Sequence, residues 1–230
     1  MLDCISVANM RDSDAYTIAN LVPSLELMHR AARGVFRAHH WQGRTAILTG
    51  SGNNGGDGYA LACILKEAGF DCTIFSVSRR LSPDSAHYAA LAAAADVPVH
   101  PFRPGCLAGF DTVVDCLLGT GFQGEVRDDY RAAIEAINGA GAFVISVDIN
   151  SGMNGDTGEG AVVVRSDLTV TIGYVKRGLV TARAGKAIRR LVVAPIGIEL
   201  VRREDVLSAD GRPGTIPAPS WLDMNPIETL

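Results

Sequence analysis

The chain has 230 residues, 47% of them hydrophobic and 20% charged, with a formal net charge of −4, as in a single folded domain with a sizeable apolar core. This negative charge, without any basic tract, excludes a nucleic-acid-binding protein, and we expect a small-molecule partner. The acidic first dozen residues argue against a secretory signal, and no apolar run approaches the roughly 20 residues that cross a bilayer, so we expect no membrane partner.

Hydrophobic periodicity predicts helices and strands that alternate along the chain. After a first helical segment, the predicted elements are a helix at 24–39, a strand at 46–48, a helix ending at 69, a strand at 72–77, a helix at 83–95, a strand at 112–118, a helix around 130–137, a strand at 142–149, and strands at 161–164, 168–172 and 191–193. Ser82-Pro83 is typical of a helix start, an N-cap followed by proline. The pattern predicts an α/β fold, a Rossmann-like three-layer sandwich with a mostly parallel central sheet. We expect one domain over residues 1–210 and a loosely ordered tail over 211–230.

Three polar, glycine-rich segments follow predicted strands, at 50–58, 119–126 and 148–160. Ligands of a doubly wound sheet bind beyond the carboxyl ends of its strands, so we expect the three segments to meet at one site. The first, GSGNNGGDG, contains GxGxxG between a strand and a helix. Its glycines permit positive φ and close backbone approach, and the helix N-terminus offers free amides to an anion. It predicts a phosphate-binding loop for a nucleotide-like ligand.

The end of the second strand argues against an ordinary NAD-dependent dehydrogenase. Such an enzyme carries an acidic residue there, about 20 residues beyond the glycine motif. Here the strand ends in Ser78-Arg79-Arg80, and Asp71 lies at its opposite end. The two arginines would suit a 2′-phosphate.

Asp115 and Asp148 lie within or directly after apolar strands, where a carboxylate is costly unless it is paired or bound to a cation. Either one alone would be an ordinary structural aspartate. Together, beside an Asn-rich loop and Ser151, they predict a cation site built from oxygen ligands. Asp57 of the glycine segment has the alternative role of capping the helix. The dispersed cysteines, without CxxC spacing, indicate reduced packing residues and hence the cytoplasm, and the scattered histidines offer no zinc site.

Five segments in this order resemble the NAD(P)H-hydrate epimerases, or YjeF N-terminal domain proteins. They are Leu27-Met28 with Arg30-Ala31, GSGNNGGDG at 50–58, VDCLLGTGFQGEV at 114–126, SVDINSGMNGDTG at 146–158, and GYVKRGL at 173–179 before VAPIGI at 193–198. The pieces NNGGDG and DINSG are the most specific. Two residues depart from the family pattern. Asn150 replaces a proline, which would loosen its turn, and Arg177 replaces a proline after Lys176, which puts the role of that lysine in doubt.

The resemblance implies an isomerase that converts (R)-NADHX and (R)-NADPHX, hydrated nicotinamide cofactors, to the S form. A separate ADP- or ATP-dependent dehydratase would then repair the S form. The dehydratase domain that is fused in many bacterial members is absent, so we expect a stand-alone protein or a separated half. The resemblance also implies substrate-binding residues: Asn53, Asn54, Gly55, Gly56, Asp57, Gly119, Thr120, Gly121, Phe122, Gln123, Gly124, Glu125 and Asp148. It implies that Asn54, Asp115 and Ser151 ligate K⁺.

Epimerisation needs a proton donor and a proton acceptor at the carbon that bears the added hydroxyl, whether the ring opens or the hydroxyl leaves reversibly. We expect Asp148 to be catalytic, followed by Asp57, with K⁺ as a template and not as a Lewis acid. The alternative is a catalytically silent YjeF-like ligand-binding or dimerisation module, which would be expected to have lost loop residues. A related activity on another nucleotide-like ligand is a third hypothesis. We also expect a homodimer, for which the apolar helix around residues 25–36 is one candidate interface.

Overall fold

The computed structural model describes residues 3–202, 207–208 and 218–223. Its elements in chain order are β1 (Asp3–Ile5), α1 (Val7–Asn20), α2 (Ser24–Ala38), β2 (Arg44–Thr49), α3 (Asn53–Glu67), β3 (Asp71–Ser76), α4 (Pro83–Ala94), β4 (Val99–Pro101), β5 (Thr112–Cys116), α5 (Asp128–Asn138), β6 (Phe143–Val147), β7 (Leu168–Ile172), β8 (Val175–Lys176), 3₁₀ turns at Arg177–Val180 and Ala184–Lys186, β9 (Leu191–Ala194) and β10 (Leu207–Ser208). The alternation of helices and strands confirms the predicted α/β fold.

The central sheet has seven strands in the order β4-β3-β2-β5-β6-β7-β9, and every neighbouring pair is parallel. Counted along the chain within this sheet, the order is 3-2-1-4-5-6-7, which is the Rossmann order with one further strand. The direction of winding reverses between β2 and β5. In doubly wound folds, the ligand binds at this switch point, beyond the carboxyl ends of the strands.

Helices cover both faces of the sheet, which completes the predicted three layers. One apolar cluster joins α2, α3 and α4 to alternate strand residues such as Ile47 and Ile145. A second cluster joins α5 to the opposite face, through residues such as Leu48 and Val144. Successive side chains of a strand point to opposite faces, so the near-continuous apolar strands supply both clusters at once. A smaller sheet, in the order β10-β1-β8, lies beside the main one.

The predicted strand at 161–164 is wrong, because its backbone groups find other partners. Val163 and Val164 are apolar and are packed in the interior, as in a strand. Their carbonyls, however, accept hydrogen bonds from the side chains of Asn138 at 2.9 Å and Asn150 at 2.8 Å. The segment is therefore an irregular connection held by two asparagines. The short strand β4 was not predicted, since its three residues are exposed and show no buried pattern.

Helix α1 buries a polar stripe. Asn9, Ser13 and Thr17 are fully buried at four-residue spacing. Thr17 Oγ1 accepts from the amide of Glu199 at 2.9 Å and Ser13 Oγ accepts from that of Val201 at 3.2 Å. The two hydroxyls thus accept from backbone amides of residues 199 and 201, as the carbonyls of a neighbouring strand would do in a sheet. The helix therefore lacks a clear apolar face in the sequence.

The predicted tail of 211–230 falls outside the described residues except for 218–223. In that short segment Leu222 forms a bridge with Leu191 beside the main sheet. The domain bounds stay a prediction. None of the helices in the described part of the chain is long and apolar enough to cross a membrane.

Candidate functional site

A cavity of about 740 Å³ lies at the switch point, beyond the ends of β2 and β5. All three predicted loops contribute to its lining. The first gives Ser51–Asn54 and Asp57, the second gives Leu117–Gln123, and the third gives Asp148. Helix α1 supplies a further wall. The prediction that the three loops meet at one edge of the sheet is therefore confirmed.

The glycine segment is mostly helix. Only residues 50–52 connect β2 to α3, which begins at Asn53 with Gly52 as its N-cap. None of the glycines from 50 to 58, all of which the structure describes, has a positive φ, so that part of the expectation is wrong. Close approach explains four of the five instead, since a Cβ on Gly50, for example, would lie 2.0 Å from the carbonyl oxygen of Leu117; a Cβ on Gly52 would have open space. Asp57 is the fifth residue of α3 and does not cap it.

Most of the predicted substrate-binding residues line the cavity. They are Asn53, Asn54, Asp57, Gly119, Thr120, Gly121, Phe122, Gln123, Glu125 and Asp148. Gly55 and Gly56 are not part of the lining, and their Cβ positions would meet the backbone of Gly50 and the side chain of Met28. Gly124 lies in the second loop with a φ of +84° and is not part of the lining.

Asp148 is held by a buried lysine that sequence reasoning left unassigned. Its backbone has a φ of +69°, which is rare for a residue other than glycine and sets the carboxylate at the cavity. The fully buried ammonium of Lys176 is paired with Asp148 Oδ1. Lys176 also donates to Thr171 Oγ1 at 3.1 Å and to the carbonyl of Ile172 at 2.8 Å. All three hydrogens of the ammonium thus have acceptors, and its positive charge lies directly against the Asp148 carboxylate.

The environment of Asp57 is different. Burial raises the pKa of its carboxyl well above its usual range, and the nearby charges of Asp148 and Asp14 raise it further. Lys176 opposes this shift without cancelling it. One cavity therefore holds a carboxylate paired with a lysine and a carboxyl whose pKa is raised by burial. This is the pairing that acid–base catalysis requires.

Asp115 and Ser151 lie behind the cavity in a buried hydrogen-bond network. Asp115 accepts hydrogen bonds from Ser151 Oγ at 2.5 Å, from the Ser151 amide at 2.9 Å and from Ser146 Oγ at 2.9 Å. Burial raises the pKa of Asp115, and these hydrogen bonds oppose the increase. No arginine or lysine of the described residues pairs with it.

Asn54 gives the test of whether a cation fits there. Within the described residues, its buried side-chain oxygen and nitrogen both lack a hydrogen-bond partner. A buried amide without a partner is costly, so its carbonyl oxygen is available to a ligand. Carboxylate, hydroxyl and amide oxygens together suit a hard cation. The donor set of Asn54, Asp115 and Ser151 therefore fits the cation site expected from the sequence.

Asn150 fits its turn better than the sequence suggested. It is fully buried, and its side chain donates to the carbonyl of Val164 and to Ser166 Oγ at 3.0 Å. It also accepts from Thr169 Oγ1 at 2.7 Å. The asparagine ties the turn to the irregular connection at 161–166, so the expected loosening is wrong.

Sequence reasoning assigned no site role to several charged residues of the cavity, among them Lys176, Asp14 and Arg11. Lys176 had a visible signal, a charged residue at the end of the apolar stretch Ile172-Gly173-Tyr174-Val175. Asp14 and Arg11 had no such signal. Helix α1 has no clear apolar face in the sequence, so the residues that face the cavity could not be told from the others. Arg11 donates to the carbonyl of Thr120 at 2.7 Å and so links α1 to the second loop.

The Rossmann strand order, the glycine loop and the polar cavity at the switch point define an α/β protein with a nucleotide-type binding site. The family comparison is more specific. A model described as "YjeF-related protein N-terminus" matches residues 24–178, and the chain belongs to this family.

Individual relatives agree with the family match. A protein of Limosilactobacillus fermentum named NAD(P)H-hydrate epimerase is 37% identical over 198 residues, which cover 83% of this chain and 95% of that protein. The Bifunctional NAD(P)H-hydrate repair enzyme Nnr of Coxiella burnetii is 36% identical, over 82% of this chain and 40% of that protein. The chain thus spans less than half the length of the bifunctional relative. The crystal structure of the yeast protein YNL200c shares the fold, with a TM-score of 0.72 at 20% identity, over 90% of this chain and 100% of that one.

Proposed function

We propose that this protein is an NAD(P)H-hydrate epimerase, an isomerase that interconverts the R and S forms of NADHX and NADPHX. The name of a relative that matches over 95% of its length, NAD(P)H-hydrate epimerase, supports this proposal. The observation that carries it is the cavity itself, in which Asp148, paired with Lys176, and Asp57, whose pKa is raised by burial, line the same space. A catalytically silent module would have no need to keep two carboxyls in such different environments.

The two carboxyls divide the proton transfers. Epimerisation destroys and rebuilds the stereocentre at the carbon that bears the hydroxyl, so one group gives a proton and another takes one. Asp57 is the donor, because burial raises the pKa of its carboxyl and so favours the protonated form. Asp148 is the acceptor, and its Oδ1 is paired with the ammonium of Lys176. Lys176 acts through Asp148 as a positioning residue, and Thr120 fixes the other carboxylate oxygen through its amide at 3.2 Å.

The phosphates of the substrate belong at the start of α3. The first amides of a helix have no acceptor within the helix, and the dipole favours an anion there. Ser51–Asn53 line the cavity at this point. Of the other substrate-binding residues proposed from the sequence, those that line the cavity would form the walls between the phosphates and the carboxyls.

Asn54, Asp115 and Ser151 are the residues that would hold K⁺. The unpartnered amide of Asn54 and the buried carboxylate of Asp115 support this assignment. Bound there, K⁺ would supply positive charge that fixes the first turn of α3 against the end of β5. This is a structural contribution and includes no chemical step.

The S form would pass to a separate ADP- or ATP-dependent dehydratase. Two relatives named Bifunctional NAD(P)H-hydrate repair enzyme Nnr support such a partner, because this chain matches only 40% and 37% of their length. The protein would act in the cytoplasm, where its five free cysteines stay reduced.

A homodimer is proposed as well, through the outer face of α1. Tyr16 and Leu21 there are 45% and 57% exposed. Helix α2, which contains the apolar residues around 25–36 expected at the interface, turns them inward. Its residues Met28, Ala32 and Val35 are buried in the core of the same chain. Sedimentation of wild type and of Leu21→Glu tests this face, and the variant is expected to shift towards the monomer. A wild-type monomer at all concentrations would contradict it.

The activity is tested with wild-type protein and Asp148→Asn. Wild type is expected to convert (R)-NADHX to the equilibrium mixture within seconds to minutes, far ahead of a protein-free control. Asp148→Asn is expected to lose at least about 10²-fold in turnover and to retain binding. A wild-type protein that binds both epimers without interconverting them would identify a silent module instead.

A further inference from the structure

Helix α1 turns a charged face towards the cavity. Its polar stripe of Asn9, Ser13 and Thr17 is bonded to residues 199–202, which fixes the rotation of the helix. The adjacent face brings Met10, Arg11, Asp14 and Ile18 to the cavity wall. Asp14 is half-buried there, and its position does not depend on any loop.

The cavity has an excess of acidic groups. Five carboxyl side chains and three cationic side chains line it. The acidic residues are Asp14, Asp57, Asp84, Glu125 and Asp148, and the cationic ones are Arg11, Arg127 and Lys176.

Each of the cationic groups is already engaged with a protein partner. Lys176 has all its hydrogens committed to Asp148, Thr171 and Ile172. Arg127 stands over the ring of Tyr130, 5.6 Å from its centroid, beside the glycine loop. Arg11 donates to a backbone carbonyl at the rim.

Burial raises the pKa of Asp14, and the negative charges of Asp148 and Asp84 raise it further. The positive charge of Lys176 opposes this increase, but the pKa stays above its usual value. The carboxyls of Asp14 and Asp57 thus interact unfavourably with a common neighbour, Asp148. A positive charge placed among them would relieve that repulsion. The reacting end of the cavity is therefore complementary to a cation, although the rest of a dinucleotide is anionic.

We propose, on the basis of the function proposed above, that Asp14 stabilises a cationic ring, and that epimerisation proceeds by loss of the hydroxyl and not by ring opening. The C–O bond breaks as Asp57 gives its proton to the hydroxyl, which departs as water. The lone pair of the adjacent ring nitrogen forms the C=N bond, and the ring carries the positive charge. Water adds to the same carbon from the other face and gives a proton to Asp148. Exchange with solvent restores the two carboxyls.

The fate of the oxygen atom tests the route. Epimerisation of (R)-NADHX is run in H₂¹⁸O to low conversion, and the S product is analysed by mass spectrometry. Loss of the hydroxyl places one ¹⁸O in each molecule that has changed configuration. A ring-opening route leaves the original ¹⁶O in the inverted product, and that result would overturn the proposal while leaving the epimerase function intact. The absence of any inversion would instead refute the proposed function.

A binding experiment tests Asp14 without turnover. NAD⁺ carries a positive nicotinamide ring and NADH a neutral one, on otherwise similar dinucleotides. Wild type is expected to bind NAD⁺ about tenfold more tightly than NADH, and Asp14→Asn to lose most of that preference. Asp12→Asn is the matched control, since it removes a carboxylate of the same helix that is paired with Arg202 outside the cavity. Equal affinities of wild type for NAD⁺ and NADH would contradict the role of Asp14.

Turnover gives a separate readout for the same residue. Asp14→Asn is expected to lower kcat about tenfold to a hundredfold with little change in KM, because the charge acts on the transition state. Asp14→Glu is expected to recover part of the loss. A purely structural role would instead shift the unfolding midpoint and leave the ¹⁸O content and the NAD⁺ preference unchanged.

Discussion

The Asp148–Lys176 pair is the feature whose removal has the most calculable effect. Lys176 is fully buried, whereas Asp148 is 9% exposed and opens onto the cavity. Replacing one member of a buried pair leaves the other without a counter-charge, which costs about 3–5 kcal/mol. Asparagine tolerates the left-handed backbone of Asp148, so Asp148→Asn adds little conformational strain.

The two single variants are not expected to be equal. Asp148→Asn leaves a buried ammonium with only neutral partners and should cost the full 3–5 kcal/mol or so. Lys176→Met leaves a carboxylate that reaches cavity water and the amide of Thr120, so we expect a smaller loss of about 1–3 kcal/mol. At about 2–4 °C per kcal/mol, the melting temperature falls by roughly 6–20 °C in the first case.

Urea unfolding of wild type, both single variants and the double variant measures the pair. The double variant removes both charges, so its loss of unfolding free energy should be smaller than the sum of the single losses. Additive losses, or a Lys176→Met protein as stable as wild type, would refute the buried pair. The Glu26–Arg30 pair is the control, since it is an exposed i,i+4 pair expected to contribute less than about 1 kcal/mol.

Three further predictions follow from the site. Asn54→Ala is expected to cost little stability without K⁺, since its amide has no partner to lose, and to abolish the increase in melting temperature with K⁺ that we expect of wild type; a variant that responds to K⁺ as wild type does, or a wild type without a response, would contradict the cation site. Gly50→Ala places a Cβ against the Leu117 carbonyl and should destabilise the fold by at least about 3 kcal/mol in urea, unlike Gly52→Ala, where the space is open. Asp57 must keep its proton, so kcat should fall as pH rises through its raised pKa. Folding raises that pKa, so the associated stability is present at low pH and is lost over the same rise. Asp57→Asn should remove both dependences, and a wild-type rate that does not fall at high pH would oppose the donor role.

The sequence predicted the fold well because its strands are apolar on both faces. Segments such as Val113-Val114 and Val144-Ile145 can belong only to a covered sheet, and their alternation with helices gives parallel order. The error at 161–164 has a physical cause, since apolar packing was present and strand hydrogen bonding was not.

The cavity was predicted in part. The sequence was enough to place the residues that follow strands at the carboxyl edge of the sheet. This placement predicted that Asp57, Gly119 and Asp148 lie in one site. The ion pair with Lys176 could not be found in this way, because β8 belongs to the small sheet and its position depends on tertiary packing. The same holds for Asp14, on a helix whose buried side is polar.

The central claim is that the cavity interconverts the two hydrate epimers. The most direct measurement starts one reaction from pure (R)-NADHX and another from pure (S)-NADHX, with purified protein, and follows both epimers by chromatography with and without K⁺. The account predicts that both reactions converge on the same ratio, at rates proportional to protein concentration and higher with K⁺. Two mixtures that keep their starting composition, beyond the slow change of a protein-free control, would contradict it.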